Sequence, residues 1–429
     1  MTIRLLHLVR FWLPLQATWL MMAVEGPFLA AVIARLAEPK INLAAYGVAF
    51  SLAVLVEAPV IMMMSAATAL VDGAESYRRL RAFLWQLNGG ITTVMLLLLT
   101  PPAWDLAAHR LIGLDPQVAD LAHRSLLVLL PWPAAIGYRR FCQGLLIRAG
   151  LTRRVAWGTV VRLAAMAVVA FTVHATSALP GAMVGACALT AGVLAEAVAS
   201  RLMAAGTIRQ LLATPSVQPP TWGDIHRFYR PLALTSTIAL SVAPLVTFFM
   251  GKARFSLESL AVLPVINALV FIFRTPGLSF QEVAIAMLGR SWDNLARVRQ
   301  FAGLLAGATT LGFAAIALTP LADVWLQRVS GLAPELAAFA KLPLKVIVLM
   351  PAMSVLLSLQ RSLLVARRDT GPITWASVLE VVGIAMVLLV TVGGADWVGA
   401  TAAAVAYLVG RAAANIYLVR TMGARPSQA

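Results

Sequence analysis

The segment RFWLPL at residues 10–15 is nearly repeated as RFYRPL at residues 227–232, 217 positions further along the chain. One short match of this kind arises easily by chance. Two pairs of prolines, however, keep the same spacing to within one residue: Pro59 with Pro276, and Pro133 with Pro351. Three matches at nearly one offset indicate that the chain consists of two similar halves.

The composition places this chain in a membrane. Of its 429 residues, 60% are hydrophobic and only 12% are charged, and the mean hydropathy is +0.85. Soluble globular domains carry about 25% charged residues. Half that share is too little to cover the surface of a soluble protein of this length, so the apolar residues are expected to face lipid.

Apolar runs of about 20 residues, the length that crosses a bilayer as a helix, recur along the whole chain. They predict twelve transmembrane helices, at about residues 8–34, 43–70, 82–108, 121–147, 155–176, 180–206, 227–251, 256–288, 300–322, 337–365, 371–393 and 397–418.

The longest connection, around residues 207–226, contains three prolines that do not continue a helix. The sequence therefore predicts an N-terminal six-helix bundle at 1–206, a cytoplasmic linker at 207–226 and a C-terminal six-helix bundle at 227–429. Because each half has an even number of helices, the halves share one orientation. A rotation of about 180° around the membrane normal is then expected to relate them.

The formal net charge of +16 follows from this topology. With both termini in the cytoplasm, the inner segments hold more than twice as many Arg and Lys residues as the outer ones, as the positive-inside rule requires. We therefore predict a multi-pass protein of the inner (plasma) membrane and no nucleic-acid partner. The first apolar segment is interpreted as a retained span, because no small-residue cleavage site follows a short apolar core.

Known catalytic motifs are missing from the sequence. It contains no glycine-rich phosphate loop followed by Lys-Ser/Thr, no HExxH segment and no cysteine pair at metal spacing. Its two cysteines, Cys142 and Cys187, lie far apart in apolar stretches and are interpreted as buried small residues. We predict a protein that is not an enzyme and has no cofactor and no metal.

Ionisable residues inside the predicted spans are the strongest functional signal. Each costs about 2.5–3.5 kcal/mol on insertion scales, so it usually faces a bundle interior or a wet cavity. These residues are Glu25, Glu57, Arg139, Arg140, Arg162, Glu196, Arg274 and Glu380. For Glu196, and for Arg361 nearer a helix end, packing or snorkelling is the favoured interpretation.

Glu57 and Arg274 each lie near the middle of a span, two residues before a proline. A proline removes an intrahelical hydrogen bond, and broken helices with nearby charge are typical of a transporter's binding site. The two residues are also 217 positions apart, so they are equivalent in the two halves. This predicts an ion pair that forms and separates as the halves move. Of Arg139 and Arg140, which point about 100° apart, we expect one to face a central cavity and the other to bind a carboxylate or carbonyl.

Several short segments resemble the multidrug/oligosaccharidyl-lipid/polysaccharide (MOP) flippase superfamily, which includes the MATE exporters, and within it the progressive ankylosis (ANK) family most of all. The segments that carry the resemblance are RF at 10–11, PL at 14–15, Thr18, LAAYGVAFSL at 43–52, PLAL at 231–234, PLK at 343–345 with Pro351, and GAT at 399–401. The resemblance implies a V-shaped pair of helix bundles working by alternating access. It also implies export of small polyanions such as pyrophosphate, citrate or nucleotides.

The leading prediction is a secondary active exporter of a small organic or phosphate-containing anion, acting as a monomer with a proton or sodium ion as the coupling ion. Arginine has a planar fork suited to carboxylate and phosphate. The predicted substrate-binding residues are Arg139, Arg140, Arg274, Glu57, Lys345 and Arg361. Glu25 and Glu57 are the predicted cavity or coupling carboxylates.

Two alternatives remain open at this stage. A cation- or proton-coupled MATE-type multidrug exporter would use Glu25 as its cation or proton site. A lipid-linked saccharide flippase would also use a basic cavity and fits the span number.

Overall fold

The structure, a computed structural model, describes residues 5–217, 219–288, 292–367, 369 and 371–424. These residues are almost entirely helical. They form nineteen α-helices: α1 (Leu5–Ala34), α2 (Pro39–Glu57), α3 (Met63–Leu70), α4 (Ala74–Leu98), α5 (Pro101–Asp105), α6 (Pro116–Val128), α7 (Trp132–Arg148), α8 (Thr152–Thr176), α9 (Gly181–Met203), α10 (Ala205–Ala213), α11 (Trp222–Leu240), α12 (Val242–Gly251), α13 (Ser256–Leu288), α14 (Leu295–Ala317), α15 (Leu321–Asp323), α16 (Pro334–Val346), α17 (Met350–Ala366), α18 (Gly371–Leu388) and α19 (Gly399–Ala424). Short 3₁₀ segments (Ala58–Val60, Trp292–Asn294, Ile347–Leu349) and π segments (Leu106–Ile112, Val324–Val329, Leu389–Gly394) extend or join them.

The described helices confirm a multi-pass membrane protein. Ten helices are long and apolar enough to cross a membrane, and an eleventh is added if the pair Ala74–Leu98 and Pro101–Ile112, bent by 73°, counts as one span. Every predicted span overlaps a helix. The fourth, at 121–147, is divided between α6 and α7, and α7 carries three arginines, so neither helix is long and apolar enough by itself.

The predicted linker at 207–226 is partly helical. Helix α10 occupies its beginning, and α11 already starts at Trp222. The segment between these helices lies against the start of α4. There the Ser216 hydroxyl accepts hydrogen bonds from the backbone amides of Glu75 (3.1 Å) and Ser76 (3.0 Å). Because the first amides of a helix have no partner within the helix, the connection acts as an N-cap supplied from a distant part of the chain.

Packing divides the described chain into two compact units. The N-terminal unit is Leu36–Phe248, and the C-terminal unit combines the described parts of Met1–Arg35 and Phe249–Ala429. This division differs from the predicted bundles at 1–206 and 227–429, because each half gives its first helix to the other half's unit. Helix α1 packs on α13, and α11 packs on the break after α2.

Hydrogen bonds show why α1 packs in the C-terminal unit. The Trp12 indole nitrogen donates to the Ser279 hydroxyl at 2.7 Å, and the Gln16 amide donates to the Thr275 hydroxyl at 3.1 Å. The Ser279 hydroxyl in turn donates to the Gln16 side-chain oxygen Oε1 at 2.8 Å. Polar groups within apolar helices favour partners on another helix, so this chain of bonds holds α1 against α13.

The N-terminal unit repeats this arrangement around α11. The Tyr229 hydroxyl donates to the carbonyl oxygen of Pro59, and the Ser236 hydroxyl donates to that of Ala58, both at 2.7 Å. Tyr229 is the equivalent of Trp12 at the 217-residue offset. Each half's first helix is therefore hydrogen-bonded, through an equivalent aromatic residue, beside the proline of the other half's second helix.

The two equivalent prolines have different effects on their helices. At Pro59 the helix ends, and a 3₁₀ segment separates α2 from α3. At Pro276, by contrast, α13 continues without interruption, so the predicted break occurs in only one half. In a regular helix the N–H of residue 276 would donate to the carbonyl of Ile272, but proline has no N–H. The Thr275 hydroxyl donates to that carbonyl in its place, at 2.8 Å. This substitute donor stabilises the continuous helix.

Candidate functional site

A buried cluster of charges joins α7, α8 and α9 in the N-terminal unit. The Glu196 carboxylate, 1% exposed, forms a salt bridge with Arg139 and accepts a hydrogen bond from the Gln143 amide at 3.0 Å. Arg162 lies 3.7 Å from the same carboxylate. These contacts agree with the interpretation of Glu196 as a packing residue, because one carboxylate ties three helices together in the interior.

Arg140 lies on a different face of α7 from Arg139. Its Nη1 atom is 3.8 Å from the Met64 sulfur, and the charge of Glu57 acts on its guanidinium. Gly144, one helical turn further along, lets α7 come close to α3, since a Cβ atom there would lie 2.5 Å from the Met64 carbonyl oxygen. This contact places Arg140 beside the break that follows Glu57. The buried Glu57 is 6% exposed.

The C-terminal unit contains a second cluster, centred on Glu380. The guanidinium of Arg411 on α19 lies 2.7 Å from the carboxylate of Glu380 on α18, and a second nitrogen donates to it at 3.0 Å. The helices touch here, since a Cβ atom at Gly410 would come 2.7 Å from the Glu380 carbonyl oxygen. Arg411 lies near the middle of the 26-residue α19, inside the predicted span at 397–418, and is 8% exposed.

Two further arginines complete this second cluster. Arg361 on α17 donates to the Ser377 hydroxyl at 3.2 Å. Arg274 on α13 experiences the charges of Arg411, Glu380 and Arg361. Over the described ranges, no carboxylate lies within salt-bridge distance of Arg274. Three guanidinium groups thus interact electrostatically with the carboxylate of Glu380, and among the described residues Arg411 forms the salt bridge to it.

Each half has an ion pair between its last two helices, but the arginine and the carboxylate are on opposite helices in the two halves. In the N-terminal unit the arginine is Arg162 on α8 and the carboxylate is Glu196 on α9. In the C-terminal unit the carboxylate, Glu380, is on the first helix of the equivalent pair and Arg411 is on the second. The two halves therefore keep the position of an intramembrane ion pair between their last two helices but exchange its signs.

The other sequence-predicted residues lie outside these two clusters. Lys345 is exposed near the end of α16, and among the described residues no ion pair links it to either cluster. Glu25 is half-buried in α1. Glu57 and Arg274 lie in different units, and their pairing stays a prediction. Within the part of the chain that the structure describes, no group of three or more His, Cys, Asp or Glu side chains could hold a metal ion.

Sequence reasoning missed Arg411 and the hydroxyl partner of Arg361. The signal that could have found Arg411 is its distance from both ends of the last apolar run. The partner of Arg361, Ser377, carries no charge and lies in a span of ordinary composition, so nothing in the sequence distinguishes it.

Comparisons with known proteins bear on the fold. No protein-family model matches the sequence, and no curated protein is significantly similar to it. An inward-facing multidrug resistance MATE transporter of the MOP superfamily is similar in structure, with a TM-score of 0.74 and 14% identity over 96% of both chains. The lipid II flippase MurJ, inward closed, has a TM-score of 0.69 and 12% identity over 96% of this chain and 87% of that one. A MOP superfamily transporter from Pyrococcus furiosus has a TM-score of 0.67 and 15% identity over 97% of this chain and 95% of that one. The chain therefore has the all-helical, MATE-like fold that these MOP superfamily structures share.

Proposed function

We propose that the protein is a secondary active transporter that carries a small organic or phosphate-containing anion across the membrane by alternating access. The matched solved structures with this fold include a multidrug transporter and a lipid II flippase, which supports transport. At 12–15% identity these likenesses carry the fold and no more. The substrate class therefore depends on this chain's own side chains.

The observation that carries the anion proposal is the charge balance of the second cluster. Arg274, Arg361 and Arg411 share Glu380 within the described residues, and Arg411 holds it. An arginine inside a membrane is costly, and its usual compensation is a carboxylate, a backbone carbonyl or a functional ligand. A bound carboxylate or phosphate group supplies the missing negative charge, and the planar guanidinium fork matches both groups.

A MATE-type drug exporter is the second candidate, favoured by the fold and by the half-buried carboxylate Glu25. Such an exporter of cations needs a cavity dominated by carboxylates. The matched Pyrococcus furiosus structure is described as having a binding pocket of reversed polarity that suggests a different function, so the fold is compatible with either sign of charge. The excess of arginine over carboxylate in the second cluster favours the anion. Transport of a lipid-linked saccharide, as for the matched flippase, is a third outcome that the test below distinguishes.

The coupling carboxylate in this proposal is Glu57, with Glu25 as the second choice. Glu57 is buried beside Arg140 at the end of α2, where a proton would change the local charge balance. The remaining parts of the proposal are a monomer in the inner membrane, both termini in the cytoplasm, export of substrate, and membership of the progressive ankylosis branch. They rest on the charge distribution and on the short segments that resemble that family.

The test is uptake into proteoliposomes, with and without a pH gradient, of citrate, pyrophosphate, a nucleotide, a cationic dye and a lipid-linked saccharide. We expect uptake of at least one anion. Arg274→Ala should lower that uptake by at least about tenfold, the loss expected when one charge-assisted hydrogen bond of about 1.5–3 kcal/mol is removed. Arg328→Ala is the matched control, since this exposed arginine lies in the same unit.

Two results would contradict the proposal. Transport of the dye or the saccharide with no transport of any anion would show that the substrate is not a small anion. Normal anion uptake by folded Arg274→Ala would remove Arg274 from the site.

A further inference from the structure

A lateral groove in the N-terminal unit lies apart from the charge clusters described above. It is a cavity of about 620 Å³ between α4, α7 and α9. Trp85, Tyr138 and Arg201 line one end, and Thr92, Pro131 and Leu194 line the other. On each helix these residues are seven positions apart, so the groove runs parallel to the helices for about 10 Å at 1.5 Å per residue.

The middle of the groove is apolar, and small side chains create its depth. Ala134 and Ala197 line this middle stretch, which we call the floor, and larger side chains at these two positions would take up part of its volume. The polar Asn88 also lines the groove, but its amide nitrogen donates to the Ala134 carbonyl oxygen at 3.0 Å, towards α7. The helix interruption at Leu130 and Pro131, between α6 and α7, closes the far end. A floor of this kind fits a hydrocarbon chain.

The rim of the groove is exposed and apolar. Leu194, Val198 and Leu202 on α9 are 41%, 59% and 69% exposed, and Trp85 on α4 is 56% exposed. In a multi-pass membrane protein, apolar side chains exposed on a span face lipid. The groove therefore opens sideways towards the acyl chains of the bilayer.

One end of the groove has the chemistry of a headgroup site. The Arg201 side chain is half-buried and its charge acts on the Tyr138 hydroxyl, and the Trp85 and Tyr138 rings are 5.8 Å apart. Within the described ranges Arg201 has no carboxylate partner. Tryptophan and tyrosine concentrate at the level of the lipid headgroups. This end is the cytoplasmic one in the predicted orientation, because α4 begins and α7 and α9 end on that side.

We propose that this groove is a binding site for an anionic phospholipid of the cytoplasmic leaflet. The phosphate lies against Arg201 and Tyr138, and one acyl chain occupies the floor formed by Ala134 and Ala197. Charge complementarity selects the lipid, because a single cationic group without a carboxylate partner favours a headgroup with net negative charge. The apolar floor disfavours a soluble anion, because this surface contributes binding free energy only when it buries hydrocarbon.

The experiment measures binding of the first lipid to the purified full-length protein by native mass spectrometry. Dioleoyl phosphatidylglycerol is compared with dioleoyl phosphatidylcholine, and glycerol 3-phosphate is added as a competitor without acyl chains. The wild-type protein should bind phosphatidylglycerol at least about tenfold more tightly than phosphatidylcholine. That ratio is what one charge-assisted hydrogen bond supplies.

Variants separate the headgroup from the chain. Arg201→Ala should reduce phosphatidylglycerol binding to the level of phosphatidylcholine, and Arg201→Lys should retain most of the difference. Ala197→Leu places a larger side chain in the floor and should weaken the binding of both lipids. Arg209→Ala is the control, because Arg209 is exposed on α10 beyond the end of α9 and should leave both affinities unchanged.

Three outcomes would overturn the proposal. Equal affinity for the two lipids in the wild-type protein would mean that no anionic headgroup is selected. Displacement by glycerol 3-phosphate at concentrations comparable to the lipid would indicate a soluble-anion site. Unchanged phosphatidylglycerol binding by folded Ala197→Leu would place the lipid elsewhere, even if Arg201→Ala fails to fold.

Discussion

The guanidinium of Arg411 lies 2.7 Å from the carboxylate of Glu380, and the equivalent helices of the other half hold Arg162 and Glu196 with the signs exchanged. In the N-terminal unit the carboxylate also binds Arg139. In the C-terminal unit, among the described residues, one carboxylate serves three arginines. Both pairs therefore brace two helices, but the ratio of arginines to carboxylates is higher in the C-terminal cluster, at three to one against two to one.

This difference predicts that the two partners of the C-terminal pair are not equally important for stability. Glu380→Gln leaves the buried Arg411 and the half-buried Arg274 and Arg361 without a carboxylate and should lower the free energy of unfolding by about 3–5 kcal/mol, the usual cost of an uncompensated buried charge. Arg411→Met should cost less, because Arg274 and Arg361 remain to neutralise Glu380. Thermal unfolding of the two variants in detergent measures the order. Equal losses would show that Arg274 and Arg361 do not neutralise Glu380.

Neutralising Glu57 should change coupling more than folding. Glu57→Gln removes the negative charge beside Arg140 and the group that would carry a proton. In proteoliposomes we expect anion uptake by this variant to depend little on the pH gradient, while uptake by the wild-type protein depends on it. Glu75→Gln, at an exposed carboxylate in the first turn of α4, is the control. A variant with unchanged pH-gradient dependence would assign coupling to another group.

Gly144 should be intolerant of any side chain. A Cβ atom there would lie 2.5 Å from the Met64 carbonyl oxygen, a backbone atom that cannot move without shifting α3. Gly144→Ala should therefore destabilise by about 1–3 kcal/mol, as overpacking does. Gly89→Ala is the matched control, since no atom lies within 4 Å of its Cβ position and alanine favours the helix. In thermal unfolding, the unfolding temperature should fall for Gly144→Ala and should not fall for Gly89→Ala.

The continuous helix at Pro276 should depend on the Thr275 hydroxyl. Thr275→Val keeps the shape of the side chain but removes the donor to the Ile272 carbonyl and the acceptor of the Gln16 side-chain amide. Loss of these bonds should cost about 1–3 kcal/mol, because the Thr275 side chain is fully buried and valine offers neither group a partner. Thr176→Val removes an equivalent bond, 2.7 Å to the Thr172 carbonyl, at an exposed position where water replaces it. If both variants unfold at the wild-type temperature, the hydroxyl is not needed to support α13.

The sequence alone established the class, the positions of the spans and the two similar halves. Each of these depends on properties that are local along the chain. Apolar runs predict spans because lipid requires helices of a set length, and Pro59 predicts a break because proline has no N–H to donate. The candidate charges were also visible, since an ionisable residue within an apolar run is unusual wherever it packs.

Tertiary structure decided which helices and which charges belong together. Trp12 and Ser279 are 267 positions apart, and Arg139 and Glu196 are 57 apart. Their contacts leave no periodic pattern in the sequence. The exchange of α1 and α11 between units depends on hydrogen bonds to α13 and to the break after α2. These bonds form because polar groups in an apolar environment take whichever partner the folded chain brings within reach, whatever its distance along the sequence.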